Sequence, residues 1–414
     1  MKHRIVVLGA GYAGAITAGR LAKRLHRDDV EITLVNADPE FVERVRLHQL
    51  ASGQELASRP LRDMFAGSGV QVRVGRVDAV DVDGKTVDLT DEHGAATLGY
   101  DSLVYALGST VADYGIPGVA EHAHHVAGKQ AALRLRKRLT ELTSGETVLV
   151  VGGGLTGIEA ATEIAEARPD LRVAIAARGG VGDWLSDKAQ RHLSRTFERF
   201  GIAVYEHADV VRVVADGVVL AAAPAESGGA NTRNAAPVRD TTNRIPAQLT
   251  VWTAGFAVHP IAAATTLEVS KSGQIVVDGT LRSVSHPDVY AVGDAAFAVG
   301  VGGRPLRMGC ATASPMAWQA ADALAARLTG RKVPEAPIGY ASQCVSLGRR
   351  DAIVQKVTPD DQPTSTVLTG RIAARVKELI CSGAAWSAAH PTLGMPSRRR
   401  HLAARVVETD LVAR

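Results

Sequence analysis

The chain of 414 residues is longer than one hydrophobic core usually supports, so two or three domains are expected. Hydrophobic residues make up 46% and charged residues 22%, and a net charge of only +4 argues against nucleic-acid binding. No apolar run reaches the roughly 18 residues of a membrane-spanning helix. The three cysteines lack CxxC spacing, which argues against a zinc site or a disulfide framework and favours the reducing cytoplasm.

The chain begins with a predicted βαβ unit. Hydrophobic periodicity places its two strands at Ile5–Leu8 and Glu31–Asn36, on either side of a helix at Ala13–Leu25. Two antiparallel strands joined at Asp83-Gly84 and one further strand follow, at Val70–Asp83, Thr86–Thr90 and Asp101–Leu107.

A second βαβ unit is predicted in the middle of the chain. A basic helix precedes its strand, helix and strand, and these four elements lie at Gly128–Leu142, Thr147–Val151, Glu159–Ala167 and Arg172–Ala176. Residues 221–243 follow neither a helical nor a strand period, so they are predicted to be a flexible loop. The later predicted elements are strands at Leu249–Thr253, Gln274–Val277, Asp288–Ala291, Tyr340–Leu347 and Ala352–Val357 and a helix at Pro315–Leu328.

The first glycine-rich turn connects a strand to a helix and reads Gly9-Ala10-Gly11-Tyr12-Ala13-Gly14. In a dinucleotide-binding turn, the first glycine permits the tight turn, the second admits a pyrophosphate and the third allows close helix packing. The second strand of this unit ends at Asn36, where a carboxylate usually holds the ribose. An asparagine carbonyl also accepts a ribose hydrogen bond, so Asn36 is predicted to do so. The alternatives are that it only ends the strand, or that nearby Asp38 takes this role.

The second glycine-rich turn has the same context and includes Gly152, Gly154, Thr156 and Gly157. Its second strand ends without a carboxylate and is followed by Arg178. A missing acid beside an arginine suits a 2′-phosphate, which favours NADPH over NADH but leaves both open. The alternative for Arg178 is a solvated surface charge.

A third candidate site follows the strand that ends near Ala291. There Gly293-Asp294 places a carboxylate directly after a strand and a glycine. Such a carboxylate can accept a hydrogen bond from a ribityl hydroxyl. A Gly-Asp pair is common at strand ends, so its weight comes from its position in the chain.

Taken together, these motifs resemble the flavoproteins of the pyridine nucleotide–disulfide oxidoreductase superfamily, and within it the type II NADH dehydrogenases, which are NAD(P)H:quinone reductases. The likeness covers about residues 4 to 330 and is carried by an ordered set of motifs. These are Gly9–Gly14, Leu47–Gly53, Arg59–Asp63, Tyr105–Ser109, Gly152–Glu159, Val251–Gly255 and Gly293-Asp294.

The resemblance implies two cofactors, non-covalent FAD and either NADPH or NADH. The residues implied for FAD are Gly9, Gly11, Tyr12, Ala13, Gly14, Asn36, Gly108, Asp294, Ala311 and Thr312. Those implied for NAD(P)H are Gly152, Gly154, Thr156, Gly157, Arg178 and Gly255. Glu159 would lie beside the nicotinamide as the candidate catalytic residue, although an acid in the first turn of a helix is also favoured by the helix dipole.

The chain departs from parts of the superfamily. Residues 41–53 contain no cysteine, which disfavours disulfide-reductase and peroxidase chemistry, and Cys310, Cys344 and Cys381 are expected to be inert buried thiols. The segment Cys310–Pro315 lacks the glutamine usual in quinone-reducing members, which leaves the acceptor open.

The predicted fold class is α/β, with two Rossmann-like dinucleotide-binding domains and a small C-terminal α+β region. The FAD domain would comprise residues 1–115 and 278–332, the NAD(P)H domain 116–277, and the C-terminal interface region and basic tail 333–414. The expected function is hydride transfer from NAD(P)H to FAD, with electrons passed to a quinone or similar acceptor. Reduction of a ferredoxin-like carrier, a secondary-metabolism flavin oxidoreductase and a non-enzymatic FAD-binding redox sensor are the alternatives.

The expected partners are a small-molecule or quinone acceptor and no nucleic acid. Arg398-Arg399-Arg400 in the basic tail could meet anionic lipid, so the expected location is cytoplasmic, with peripheral contact to the inner face of the membrane as an option. A homodimer is a further option. Because Gly383 and Pro391 interrupt the segment after Val376, no long continuous amphipathic helix is expected there.

Overall fold

A computed structural model describes residues 1–222, 232–233 and 243–403 of the chain. Its helices are α1 Tyr12–Arg24, α2 Leu47–Ala51, α3 Leu61–Met64, α4 Val119–His122, α5 Lys129–Glu141, α6 Leu155–Ala167, α7 Asp187–Phe200, α8 Cys310–Leu328 and α9 Gly370–Ala389. Its strands, in chain order, are β1 His3–Leu8, β2 Val30–Asn36, β3 Val70–Asp81, β4 Thr86–Asp91, β5 Gly94–Gly99, β6 Ser102–Tyr105, β7 Ser109–Val111, β8 Ala123–His124, β9 Thr147–Val151, β10 Arg172–Ala176, β11 Ala203–Tyr205, β12 Val210–Val214, β13 Gly217–Leu220, β14 Thr232–Arg233, β15 Arg244–Pro246, β16 Leu249–Trp252, β17 Phe256–Val258, β18 Ile275–Val276, β19 Val289–Ala291, β20 Ala296–Phe297, β21 Ser342–Ser346, β22 Ala352–Val357 and β23 Pro363–Thr369.

The first sheet has the strand order β19-β6-β1-β2-β3-β4-β5. The five strands from β19 to β3 are parallel, whereas β3, β4 and β5 pair antiparallel. Strand β1 pairs with β2 in the register Ile5↔Ile32 and Val7↔Leu34. Because β19 comes late in the chain but joins this sheet, the turn that follows β19 lies at the same edge as the turn that follows β1.

The second sheet repeats this arrangement in the order β14-β11-β10-β9-β16-β8. Strands β11, β10, β9, β16 and β8 are parallel, and β14 pairs antiparallel with β11. A separate antiparallel sheet, β21-β22-β23, packs against α6, α7 and α9. The predicted α/β class with two Rossmann-like units and a C-terminal α+β region is therefore confirmed, while the domain boundaries stay a prediction.

Small residues allow the helices α1 and α8 to pack closely over the first sheet. Ala15 and Ala18 of α1 and Ala317 and Ala321 of α8 are fully buried. The guanidinium of Arg20 donates to both oxygens of Asp322 at 2.8 and 2.7 Å, so an ion pair also joins the two helices. This packing fixes the N-termini of both helices at the carboxyl edge of the sheet.

The C-terminal part differs most from the sequence-based expectations. Helix α8 begins at Cys310, five residues before the predicted start at Pro315, and β23 was not predicted. Helix α9 runs for 20 residues through Gly383 and ends at Ala389, before Pro391, so the expected interruption at Gly383 is wrong. Burial of Ala373 and Ala385 compensates for the roughly 1 kcal/mol that a helical glycine costs. The helix continues through Gly383 because it is stabilised by tertiary contacts, which the local sequence does not reveal.

Two further expectations concern the cysteines and the loop. Cys381 is buried as expected, but the expectation of burial is wrong for the other two cysteines. Cys344 is half-buried, and Cys310 is exposed because it is the first residue of α8 and lies outside the core. The predicted flexible loop at 221–243 falls mostly on residues 223–231 and 234–242, which lie outside the described residues. Within the described ranges, no helix is both long and apolar enough to cross a membrane.

Candidate functional site

The first glycine turn has the geometry of a phosphate-binding turn. Gly9 has a φ of 92°, and a Cβ there would collide with the carbonyl of Ala106, the residue that follows the neighbouring strand β6. A Cβ on Gly14 would collide with the carbonyl of Gly9, so this glycine allows α1 to lie against the turn. Gly11 faces open space, because no atom of the described residues lies within 4 Å of the position that a Cβ would take. The turn therefore leaves room for a phosphate in front of the helix N-terminus.

The side chain of Asn36 is held at this turn. Its Oδ1 accepts a hydrogen bond from the backbone N–H of Ala10 at 2.8 Å, and its Nδ2 donates to the carbonyl of Asp38 at 2.7 Å. A carbonyl oxygen has two lone pairs, so Oδ1 retains acceptor capacity for a ribose hydroxyl. Tyr12 is different, because its ring packs edge-on against Phe41 at 5.0 Å and is buried. Tyr12 can serve the turn only through its backbone.

Asp294 reaches the same turn from the late strand β19. A Cβ on Gly293 would lie 3.1 Å from the Cβ of Ala13, so the two turns are neighbours. The Oδ1 of Asp294 accepts from the backbone N–H of Gly309 at 2.7 Å, and its Oδ2 accepts from the hydroxyl of Ser109 at 2.6 Å. The carboxylate thus links the end of β19, the segment after Gly108 and the residue that precedes α8.

Arg44 was missed by the sequence analysis. It lies half-buried beside Gly108, and its guanidinium donates to the carbonyl and the hydroxyl of Ser109 at 2.6 and 3.0 Å. Burial lowers the pKa of Arg44, and the nearby carboxylate of Asp294 opposes that shift. No local signal marks Arg44, because 65 residues separate it from Ser109.

The N-terminal turn of α8 carries the predicted Ala311 and Thr312. Because proline has no N–H, Pro315 cannot donate the usual helical hydrogen bond to the carbonyl of Ala311. Ala311 is exposed, whereas Thr312 is buried and its hydroxyl donates to the carbonyl of Gly309 at 3.1 Å. The carbonyl of Ala311 therefore lacks this usual helical donor, two residues after Gly309, whose backbone N–H binds Asp294.

The second glycine turn repeats the geometry of the first. Gly152 has a φ of 127°, and its missing Cβ would lie 2.7 Å from the Oγ1 of Thr253. A Cβ on Gly157 would collide with the carbonyl of Gly152, whereas Gly154 faces open space. Thr156 follows in the first turn of α6, and Gly255 lies just after β16, where a Cβ would collide with the hydroxyl of Tyr114. Five of the six residues predicted for NAD(P)H thus lie at one edge of the second sheet.

Glu159, on the second turn of α6, belongs to a buried charged cluster. Its Oε1 accepts from the Nζ of Lys377 at 3.0 Å and from the backbone N–H of Ser346 at 2.9 Å. Its Oε2 lies 3.7 Å from the Nδ1 of His48, and Lys377 also donates to the carbonyl of Cys344 at 3.1 Å. Only 4% of Glu159 and 5% of His48 is exposed. Helices α2, α6 and α9 therefore bring their polar side chains together away from water.

Burial and mutual charge fix the protonation of this cluster. Burial lowers the pKa of His48, which keeps the ring neutral although Glu159 opposes the shift. Burial also disfavours a charged Lys377, but the carboxylate of Glu159 outweighs it and raises the pKa of Lys377. Within the described residues, the Nε2 of His48 has no hydrogen-bond partner. The cluster holds a lysine ammonium paired with a carboxylate beside a neutral imidazole.

Glu163 lies one helical turn beyond Glu159 and is 1% exposed. It accepts a hydrogen bond from Gln54, while its Oε2 has no partner in the described part of the chain. Burial raises its pKa to about 7, although Arg349 opposes this rise. This carboxyl therefore exchanges a proton near neutral pH.

The residues described above fit two dinucleotides. Both glycine turns open in front of a helix N-terminus, and both reproduce the same division between packed and open glycines. A family model described as pyridine nucleotide-disulphide oxidoreductase matches residues 3–325. The chain belongs to this family. That membership confirms the predicted oxidoreductase class and the predicted cofactors, FAD and NAD(P)H. The individual cofactor contacts stay predictions.

Relatives of this family member cover most of its length. The NADH dehydrogenase-like protein YutJ of Bacillus subtilis is 24% identical, over 94% of this chain and 99% of the relative. Demethylphylloquinone reductase NdbB of Synechocystis is 27% identical, over 85% and 86%. The solved structure of NDH2 from Plasmodium falciparum in complex with NADH has the same fold, with a TM-score of 0.74 at 14% identity over 96% and 99% of the two chains.

Proposed function

We propose that this chain is an NAD(P)H dehydrogenase that delivers electrons to a quinone. The observation that carries the proposal is the buried cluster of Glu159, Lys377 and His48 beside the second glycine turn. Relatives named as quinone reductases and NADH:quinone oxidoreductases support it. Bound FAD would accept hydride from the nicotinamide and supply electrons to the acceptor.

The residues around the two turns would bind and orient the cofactors. Gly11 and Gly154 leave open space in front of the N-termini of α1 and α6, where helix termini favour pyrophosphate. Asp294 would accept from the ribityl chain of FAD, and the carbonyl of Ala311 would accept from its pyrimidine edge. Arg44 would hold the segment around Gly108 in place, because its guanidinium binds Ser109 twice.

The cluster would handle protons at the acceptor. Reduction of a quinone to a quinol consumes two protons, so a buried site needs a group that carries one. The Nζ of Lys377 holds a proton against the Oε1 of Glu159, 3.0 Å away. The neutral ring of His48 lies beside the other carboxylate oxygen and limits its exposure to water.

The test is the reaction of the purified flavoprotein in two separate halves. Stopped-flow absorbance should show rapid bleaching of the flavin by NADH or NADPH, followed by reoxidation with a soluble quinone. Lys377→Met should slow the quinone half-reaction more than the bleaching, whereas Lys356→Met, a change at an exposed lysine of β22, should alter neither. Absence of bleaching within seconds would favour a redox sensor. Faster reoxidation of the flavin by a ferredoxin than by the quinone would identify a ferredoxin-like carrier, and not a quinone, as the acceptor.

Peripheral membrane contact would use the outer face of α9. Ile372, Leu379 and Trp386 are exposed by 64%, 71% and 46% and follow each other at seven-residue spacing, so they share one helix face. Part of the predicted basic tail packs against α1 instead. The guanidinium of Arg399 donates to the carbonyl of Ala22 at 2.9 Å, and the backbone N–H of Arg400 donates to the carbonyl of Arg24 at 2.9 Å. The apolar face of α9 is thus the stronger candidate for lipid contact.

Flotation with anionic vesicles tests this contact. The double variant Leu379→Glu/Trp386→Glu should leave the lipid fraction, whereas Val284→Glu, at an apolar residue 51% exposed on another surface, should stay with the lipid. If the unchanged protein does not float but the double variant alone becomes monomeric in sedimentation, the face is a dimer interface instead.

A further inference from the structure

We propose that the carboxyl edge of strands β10 and β11 binds the 2′-phosphate of NADPH through Arg178, assisted by His207. This inference rests on the proposed function, because it names the hydride donor of that site. It goes beyond relatives such as YutJ and the type II NADH:quinone oxidoreductases, whose names mention NADH.

The two glycine turns identify the position that selects the ribose. In the first turn, the backbone N–H of Gly9 donates to the carbonyl of Val35 at 2.8 Å, and Asn36 follows. In the second, the N–H of Gly152 donates to the carbonyl of Ala176 at 2.8 Å, so Ala177 is the counterpart of Asn36. A methyl group therefore occupies the position where an acid would bind a 2′-hydroxyl and repel a 2′-phosphate.

Arg178 is the next residue and is available to a ligand. It is exposed, and within residues 1–222, 232–233 and 243–403 it makes no hydrogen bond or ion pair. A solvated guanidinium that is not engaged by a carboxylate can bind a phosphate with two parallel N–H donors. Its position directly after Ala177 places the charge at the edge that the adenosine ribose would reach.

His207 comes to the same edge from the neighbouring strand. Its backbone N–H donates to the carbonyl of Gly179 at 3.3 Å, and the residue is exposed with a φ of 55°. The adjacent carboxyl of Glu206 is directed inwards, where its Oε1 accepts from the backbone N–H of Val181 at 3.1 Å. An arginine and a histidine thus flank the edge, while the nearest strand-end acid is buried.

One exposed acid lies on the other side of this loop. The Oδ2 of Asp183 is 3.3 Å from the position that a Cβ would take on Gly179. A carboxylate there repels a phosphate and would lower the preference for NADPH without removing it. Asp183→Asn should therefore raise kcat/KM for NADPH, and a selective loss of NADH use in this variant would identify Asp183 as a ribose-binding acid and overturn the proposal.

Steady-state kinetics with both donors tests the arginine. The unchanged holoenzyme should have the higher kcat/KM with NADPH, and Arg178→Gln should lower that value about 10- to 100-fold while NADH changes less than about twofold. Arg172→Gln, the same change at the exposed opposite end of β10, is the control and should preserve the ratio. Ala177→Asp should reverse the preference, because it restores the missing acid.

Binding of nucleotide fragments gives a readout without electron transfer. Calorimetry should show that adenosine 2′,5′-bisphosphate binds more tightly than 5′-AMP, and that Arg178→Gln removes the difference. Equal affinities in the unchanged protein, or a higher kcat/KM with NADH, would overturn this inference alone. If neither donor bleaches the flavin while the fragments still discriminate, the proposed function fails and the phosphate site stands.

Discussion

Removal of the ammonium from the buried cluster gives the sharpest test of the site. In Lys377→Met, the carboxylate of Glu159 keeps the backbone N–H of Ser346 at 2.9 Å but loses its ion pair at 3.0 Å. Only 13% of the Lys377 side chain and 5% of the Glu159 side chain are exposed, so water replaces the lost charge poorly. Breaking such a buried pair on one side costs about 3–5 kcal/mol.

The double variant Glu159→Gln/Lys377→Met separates charge from packing. It removes both charges, so its free energy of unfolding should lie within about 1–2 kcal/mol of that of the unchanged protein. The combined loss of stability should therefore be smaller than the sum of the losses in the two single variants. Urea unfolding followed by far-UV circular dichroism, at fixed FAD concentration, measures the free energies. Quinone reduction should stay low in the double variant although its stability returns.

Two results would refute this reasoning. If Lys377→Met unfolds at the same urea concentration as the unchanged protein, the ion pair is not buried to the extent that the exposed fractions of its two side chains indicate. The single variant Glu159→Gln completes the cycle. If the free energy of unfolding of the double variant falls by the sum of the losses in Glu159→Gln and Lys377→Met, the two charges do not stabilise each other. Lys356→Met, at an exposed lysine, should change stability by less than about 0.5 kcal/mol and serves as the reference.

Three further predictions follow from packing and charge. Gly11→Val should fold, because its φ of −67° suits any residue and its Cβ faces open space, but it should lose FAD in equilibrium dialysis, whereas Gly14→Val should lower the unfolding midpoint because its Cβ collides with Gly9. A Gly11 variant that keeps its flavin would contradict the assigned phosphate position. The Glu163 carboxyl, whose pKa rises from 4.5 to about 7, favours folding below pH 4.5 and loses this contribution as the pH rises through 7, so Glu163→Gln should reduce the pH dependence of unfolding by about 3 kcal/mol over that range. An unchanged pH profile would show that Glu163 is solvated. Burial opposes ionisation of Asp351, but hydrogen bonds from His192 and Arg199 outweigh it and lower the pKa of this carboxyl. The stabilisation by Asp351 is therefore present above the ordinary carboxyl pKa and is lost as the pH falls. Asp351→Asn should lower the thermal midpoint at pH 7, and the difference in midpoint between the variant and the unchanged protein should become smaller in acid.

The sequence by itself determined the two nucleotide-binding turns. A strand, a helix and three glycines at fixed spacing specify such a turn locally, because steric room at Gly9 and Gly14 depends on residues within a few positions or on the adjacent strand. The same local logic predicted β9, α6 and β10 and the absence of a carboxylate before Arg178. It also gave the α/β class, since alternating strands and helices lead to parallel sheets.

The tertiary structure decided which side chains meet at those turns. Arg44 is hydrogen-bonded to Ser109, 65 residues away in the sequence, and Glu159 to Ser346, 187 residues away. Both contacts form because whole helices and strands pack together. Gly383 indicated a helix break, yet the contacts of α9 with α1 and β22 outweigh its local cost. Local propensity specifies turns and periods, whereas the buried cluster of Glu159, Lys377 and His48 exists only because three helices from distant parts of the chain exclude water together.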